Sequence, residues 1–200
     1  HIVGNWQGKG NTFSNSCPVV TIWTVALDGS GDFTSIQSAI DAASSGDTIL
    51  VDPGVYNEHS VNTNGKSITI QGSLSEDGTL LTTVDGGAGG SVFQIISGEG
   101  LGTVIRDVVI TGGFTGGDGG GIVIDDSSPR IINCTIIDNE ANYGGGIECE
   151  NCSAIIINCR VLDNIARGTG GIRCLQGGQP SIQDCLIKGN EATGDDGGGL

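Results

Sequence analysis

The sequence predicts an all-β fold, a right-handed parallel β-helix with about 25 residues per coil and a short N-terminal capping helix. Three observations lead to this prediction: a phrase recurs at a near-constant interval, apolar and polar positions alternate within it, and one early segment has helical spacing instead. A solenoid stacks the equivalent strands of successive coils about 4.8 Å apart. A fixed repeat with strand periodicity is therefore its typical signature.

The repeat is clearest in IINCTIIDNEANYGGGIEC (131–149) and IINCRVLDNIARGTGGIRC (156–174). Equivalent dipeptides start at intervals of 26, 25 and 26 residues, at Asp107, Asn133, Asn158 and Asp184. An aliphatic residue follows each dipeptide at the same place: Ile110, Ile136, Val161 and Ile187. Since the intervening Arg160 is hard to bury, the cysteine and the aliphatic residue are predicted to face inward.

Each part of the phrase has a predicted role. Asn-Cys is interpreted as strand, Asp-Asn as turn, and Gly-Gly-Gly-Ile as a corner that enters a second strand, where Glu148 and Arg173 face outward. Stacking then predicts ladders of like residues: Cys134, Cys159 and Cys185; Cys149 and Cys174; Asn139, Asn164 and Asn190.

Three disulfide patterns stay open at this point. Stacked cysteines lie within bonding reach, cross-core pairs Cys134–Cys149 and Cys159–Cys174 are equally allowed, and Cys149 with Cys152 forms a C-x-x-C. That motif also suggests zinc, but a zinc site usually needs two such pairs.

A single helix is predicted over residues 33–43, with Asp32 as N-cap and Gly46 beyond its end. Ile36, Ile40 and Ala43 share one face, which suits a helix that covers the first coil. The predicted organisation is an arm over residues 1–18 and a β-helix domain over 19–200, with regular coils over 104–200.

The charge composition of the chain makes some classes of binding partner improbable. Eight Lys and Arg stand against 23 Asp and Glu, a net charge of −15, which opposes binding to nucleic acid or anionic membranes. No apolar run reaches the length of a membrane helix. The chain begins at His1 and contains no Met, so we expect a processed or trimmed product.

Two family resemblances support the fold. ALDGSGDFTSIQSAIDAASSGDTILVDPGVYNE followed by KSITIQGS resembles the start of the pectin methylesterase and pectate lyase-like β-helix superfamily, over residues 26–73. The later GGGI repeats are similar to those of bacterial surface proteins of the polymorphic outer membrane protein type. The first resemblance implies a catalytic aspartate pair with Arg and Gln, but neither QDT nor DFIFG occurs in the matching region.

No cofactor is predicted, and calcium is the one candidate ion. Five aspartates sit in glycine-rich corners and resemble calcium ligands, although solvated turn residues are the competing interpretation. They are Asp118, Asp125, Asp126, Asp195 and Asp196.

The leading functional hypothesis is a non-catalytic extracellular or cell-surface structural protein. The alternatives are a lyase or esterase acting on acidic polysaccharide, and a carbohydrate-binding adhesin. Nothing after Leu200 caps the solenoid, so we expect either a longer chain or head-to-tail filaments. Candidate contacts for assembly are Trp6, Phe13, Cys17 and Cys152.

Overall fold

The computed structural model describes residues 19–175 and 177–194, in which one helix, α1 (Ile36–Ala42), and 21 strands are formed. In chain order the strands are β1 (Ile22–Val25), β2 (Thr48–Val51), β3 (Gly54–Asn57), β4 (Val61–Asn62), β5 (Thr69–Gln71), β6 (Thr82–Asp85), β7 (Phe93–Ile95), β8 (Val104–Arg106), β9 (Val109–Thr111), β10 (Ile122–Asp125), β11 (Arg130–Ile132), β12 (Thr135–Ile137), β13 (Glu140–Ala141), β14 (Ile147–Glu150), β15 (Ile155–Ile157), β16 (Arg160–Leu162), β17 (Ile165–Ala166), β18 (Ile172–Leu175), β19 (Ser181–Gln183), β20 (Leu186–Lys188) and β21 (Glu191–Ala192).

These strands form four parallel sheets that run along the solenoid axis. The first sheet has the order β1-β2-β5-β8-β11-β15-β19, and the second β18-β14-β10-β7-β4. The third is β20-β16-β12-β9-β6-β3, and the short fourth is β13-β17-β21. Every neighbour lies one coil away, so the seven strands of the first sheet mark about seven coils. The predicted all-β parallel β-helix is confirmed.

The predicted strand register is also confirmed. In the third sheet Ile136 pairs with Ile110 on one side and with Val161 on the other, and Val161 pairs with Ile187. In the second sheet the residues after the glycines, Ile122, Ile147 and Ile172, pair in the same way. Their side chains fill the interior between the sheets, so each coil buries its aliphatic residues on those of the next.

The interpretation of Asn-Cys as strand is wrong. Asn133 and Asn158 have φ of 51° and 53°, in the left-handed region, so they end β11 and β15. Cys134 and Cys159 then lie in the bend before the next strand. Asn and Asp tolerate this backbone because their short polar side chains bond locally, and a single such residue turns the chain between two sheets. The cysteine that follows this turn residue still faces the core, since Cys134 and Cys159 are both buried.

The glycine corners exist because successive coils approach closely there. A Cβ on Gly121 would lie 2.6 Å from the carbonyl oxygen of Gly146, and one on Gly146 would lie 2.8 Å from that of Gly171. No side chain fits at such distances. The three glycines therefore stack backbone on backbone, and this close contact explains why glycine recurs at these positions.

Helix α1 covers the first coil but starts later than predicted. Ser35 is its N-cap, with its hydroxyl accepting from the Ser38 N–H, and the Glu58 carboxylate accepts from the N–H groups of Ile36 and Gln37. Asp32 instead accepts from Thr24 and holds β1. The prediction of Asp32 as N-cap is therefore wrong: the helix begins three residues later, where the Glu58 carboxylate accepts from its first N–H groups.

At the other end, no described strand pairs with the outer edges of β18, β19, β20 and β21. Inward side chains that are buried in earlier coils, such as Ile182 and Ile187, are only partly covered here. No helix among the described residues is long and apolar enough to cross a membrane.

Candidate functional site

The C-x-x-C motif forms a disulfide between Cys149 and Cys152. Cys149 is an inward residue of β14, the chain reverses at Asn151 with a φ of 46°, and Cys152 returns to within a Cα–Cα distance of 5.6 Å. Both cysteines are fully buried. Cys152, predicted as an assembly cysteine because it lacks a repeat equivalent, is therefore bonded within its own coil.

Cys174 has the predicted register but not the expected burial. It pairs with Cys149 across β14 and β18, yet its thiol is free and exposed. The reason is positional, since no described strand covers β18 from the outside.

The remaining described cysteines form a column of free thiols. The backbone N–H of Cys134 donates to Cys159 Sγ at 3.5 Å, and that of Cys159 donates to Cys185 Sγ at 3.4 Å. Cys134 and Cys159 are buried, and Cys185 in the last described coil is partly exposed. Burial raises the pKa of the Cys134 thiol well above its usual range, so this thiol packs as a protonated, inert group.

Asn139, Asn164 and Asn190 stack in one row at the turn before the fourth sheet. The side-chain Nδ2 and backbone N–H of Asn139 both donate to Asn164 Oδ1, at 2.9 and 3.1 Å. Asn164 makes the same two bonds to Asn190 Oδ1, at 2.9 and 3.0 Å. Each amide also donates to a carbonyl of an earlier coil, as Asn164 does to Ile136 at 3.0 Å. The row thus links successive coils, and each asparagine donates to the asparagine of the following coil.

A second amide row, which sequence reasoning missed, lies at the turn of the Asn-Cys dipeptides. Asn158 Nδ2 donates to Asn133 Oδ1 at 3.0 Å, and Asn133 Nδ2 donates to Asp107 Oδ1 at 2.7 Å. Arg106 completes the row with a 2.7 Å ion pair to Asp107. The recurrence of Asn or Asp at this position was the available signal.

Among the described residues, Asp118 lies apart from the other candidate calcium ligands, Asp125 and Asp126. Asp118 precedes β10, whereas Asp125 and Asp126 lie at its far end, where Asn151 donates to Asp126. Asp195 and Asp196 lie outside the described residues. Within 19–175 and 177–194, no group of three or more His, Cys, Asp or Glu side chains is arranged to hold a metal ion. Calcium binding remains a prediction from sequence alone.

Glu148 is a buried acid that the sequence placed on an outward face. It does project outward from β14, but the turn at Gly144 lies over it and leaves it 2% exposed. Its Oε1 accepts from Arg173 Nη1 at 3.2 Å, and its Oε2 has no partner in the part of the chain that the structure describes. The Arg173 guanidinium in turn lies 4.0 Å from the centroid of the Tyr143 ring. Burial, with the charges of Asp118 and Glu150, raises the pKa of Glu148 to about 7.

A second buried acid, Glu99, differs from Glu148 because both of its carboxylate oxygens accept hydrogen bonds. Its Oε1 accepts from Thr63 and Gly65 at 2.6 and 2.9 Å. Its Oε2 accepts from the Ser97 N–H and the Ser127 hydroxyl at 2.7 and 2.9 Å. Burial opposes ionisation, but these bonds outweigh it and lower the pKa of Glu99. The carboxylate therefore joins three coils as a structural anion.

One open cleft of about 390 Å³ lies between the loop at residues 78–80 and the outer side of the third sheet. Arg160 is the one charged side chain among its described lining residues. These are Gly78, Thr79, Leu80, Val109, Asn133, Cys134, Thr135, Asn158 and Arg160. Its polar groups belong largely to the amide row described above.

The predicted assembly contacts Trp6, Phe13 and Cys17 lie outside the described residues, as does Leu200.

Proteins of known structure that are similar to this chain include pectin methylesterases. One, in complex with hexasaccharide VII, has a TM-score of 0.47 and 13% identity, over 88% of this chain and 67% of that chain. Another, from Aspergillus niger in deglycosylated form, has a TM-score of 0.33 and 13% identity, over 88% of both chains. No family model and no curated protein matches the sequence. At these values the likeness carries no conclusion about chemistry, and the fold assignment rests on the sheet topology.

Proposed function

We propose that this chain is a non-catalytic structural β-solenoid of the extracellular space or cell surface, which assembles head-to-tail. One observation supports this most strongly: the repeated polar side chains are used in bonds to the neighbouring coil along the solenoid axis, as in the row of Asn139, Asn164 and Asn190.

The repeated polar groups serve the scaffold. Asn139 and Asn164 are buried and bonded on both sides, and Glu99 accepts four hydrogen bonds. Leaving one such buried group unpaired costs about 1–3 kcal/mol. Residues held in this way are suited to stiffening a rod, since a substrate would have to break those bonds first.

The edge strands of the described solenoid offer a template for strand addition. Asn139 and Asn164 each give their backbone N–H to the asparagine of the next coil. Within residues 19–175 and 177–194, the equivalent N–H of Asn190 has no acceptor and no strand pairs with the outer edges of β18–β21. Unpaired edges beside exposed apolar residues pair readily with another chain.

A second copy of the chain can pair with the first sheet, because that sheet has a different edge strand at each end. The first sheet ends in β19 on one side and in β1 on the other, where Phe33 bonds only part of the edge. Val19, Val20 and Ile22 beside that edge are exposed. Contact between opposite ends is heterologous and does not close on itself, which yields filaments. A further coil of a longer chain would compete for the same edge.

The disulfide supports the proposed location. A buried Cys149–Cys152 bond persists in oxidising compartments and is rare in reducing ones. This favours an exported protein.

Assembly is tested on the 200-residue chain with one edge variant and a matched control. Ile182→Lys places a charge on the inward side of β19, and Gln183→Lys places the same charge on its outward side. Light scattering and electron microscopy should show filaments for the parent and Gln183→Lys, and mostly monomers for Ile182→Lys. Deleting residues 1–18 tests the arm in the same assay. A parent chain that stays monomeric at high concentration overturns head-to-tail assembly.

The non-catalytic role has a separate test. We expect no product when the purified protein is incubated with pectin or polygalacturonate, with and without calcium. Release of methanol or of unsaturated sugar would refute this part of the proposal, whatever the assembly state.

A further inference from the structure

Cys149 has two cysteines within bonding reach. It is bonded to Cys152, at a Cα–Cα distance of 5.6 Å. It also pairs in register with Cys174 on the next strand. In-register neighbours of a sheet lie about 4.8 Å apart, inside the range of about 4.4–6.8 Å that a disulfide spans.

The three cysteines differ in exposure. Cys149 and Cys152 are fully buried, while Cys174 is a free thiol open to solvent. Gly178 lies directly over Cys152, since a Cβ there would be 2.6 Å from the Cys152 nitrogen. An external thiol therefore meets Cys174 before it meets the disulfide.

We propose that Cys174 is an exchange site, whose thiol takes over Cys149 from Cys152 and so ties the last described coil to the one beneath it. Sequence repetition places Cys174 over Cys149, and its thiol is free and exposed among the described residues.

The step is balanced without an external oxidant or reductant. The Cys174 thiol loses its proton to solvent, and its sulfur forms a bond to Cys149 Sγ. The Cys149–Cys152 bond breaks, its electron pair leaves on Cys152 Sγ, and that sulfur takes a proton from solvent. One thiol and one disulfide are present before and after.

The two pairings have different mechanical effects. The Cys149–Cys152 bond closes a loop within one coil, with a sequence separation of 3. A Cys149–Cys174 bond instead joins β14 to β18, which pairs with no further strand among those described. Exchange would thus fasten the last described coil and convert the accessible thiol into a buried one.

The test maps the partner of Cys149 in the native protein. The unreduced 200-residue chain is incubated at pH 8.5, quenched with acid, alkylated and digested without reduction for mass spectrometry. We expect a Cys149–Cys174 peptide to accumulate while alkylated Cys174 declines and alkylated Cys152 rises by the same fraction. Cys174→Ser should abolish both changes, and Cys185→Ser, which removes another partly exposed thiol, should leave them intact.

A second variant, Cys152→Ser, keeps the proposal testable if Cys174→Ser fails to fold. In Cys152→Ser the cysteines at 149 and 174 are both free, and oxidised glutathione should join them into the same cross-link. The proposal is overturned if Cys174 stays fully alkylated and Cys152 unlabelled in the parent at all times. It is equally overturned if folded Cys152→Ser, judged by circular dichroism, gives no Cys149–Cys174 bond.

Discussion

Glu148 makes the stability of this solenoid depend on pH in an unusual direction. Its pKa rises from 4.5 to about 7, chiefly because it is buried. Each pKa unit corresponds to about 1.4 kcal/mol, so keeping this side chain ionised in the folded chain costs about 3 kcal/mol. This cost is what is left after the charge of Arg173 has offset part of the effect of burial, and Oε2 has no partner among the described residues.

The sign follows from linkage. A proton binds Glu148 more tightly in the folded chain than in the unfolded one, because the folded pKa is the higher of the two. The contribution of Glu148 to the free energy of unfolding is therefore most favourable below about pH 4.5. It falls as the pH rises from 4.5 to about 7 and is constant above that.

Glu148→Gln removes this titration while keeping the shape of the protonated acid. Near pH 4.5 the variant should be about as stable as the parent, and at pH 8 it should be more stable by up to about 3 kcal/mol. Urea unfolding followed by circular dichroism at pH 4.5, 6, 7 and 8 measures both. Glu140→Gln, at an exposed position, is the matched control and should show no such divergence.

The comparison is internal, because every other titrating group is shared by parent and variant. The stability difference between Glu148→Gln and the parent should change between pH 4.5 and 8. If it stays constant, Glu148 does not have the raised pKa that its burial implies.

Two further predictions concern the interior. Ile136→Asp should prevent folding, because it buries a charge without a partner at a fully buried position of the third sheet; Thr135→Asp, one residue away on the outer side, should still give the parent's circular dichroism spectrum and a cooperative unfolding transition. Asn164→Ala should lower the free energy of unfolding by about 3–5 kcal/mol, because it leaves Asn139 and the Ile136 carbonyl short of buried bonds. Asn190→Ala, at the partly exposed end of the row, should cost less in the same urea titration, and equal losses at the two positions would contradict a ladder that is strengthened by burial.

Much of the fold was predictable because the chain repeats itself. Residues about 25 apart must stack when each coil has the same length, so the pairing of Ile136 with Ile110 and Val161 follows from counting. The asparagine row follows in the same way. The Asn-Cys dipeptide was misassigned because alternation across one residue looks the same whether Asn133 is extended or left-handed.

The features that a repeat cannot encode come from contacts between different parts of a coil. Glu148 sits in an outward position by periodicity, and it is buried because the turn at Gly144 folds over it. Glu99 has no equivalent in the repeat, so its three bonds to other coils, from Thr63, Gly65 and Ser127, left no pattern to recognise.

The period of the repeat establishes which residues stand above one another along the solenoid axis. It places Cys174 over Cys149 and one asparagine over the next. Which neighbour each group bonds, and how deeply it is buried, depends on the folded chain. Cys152 and Cys174 both lie within bonding reach of Cys149, and the bend at Asn151 brings Cys152 to it. Such choices depend on backbone angles and on what covers each coil, and a repeat in sequence specifies neither.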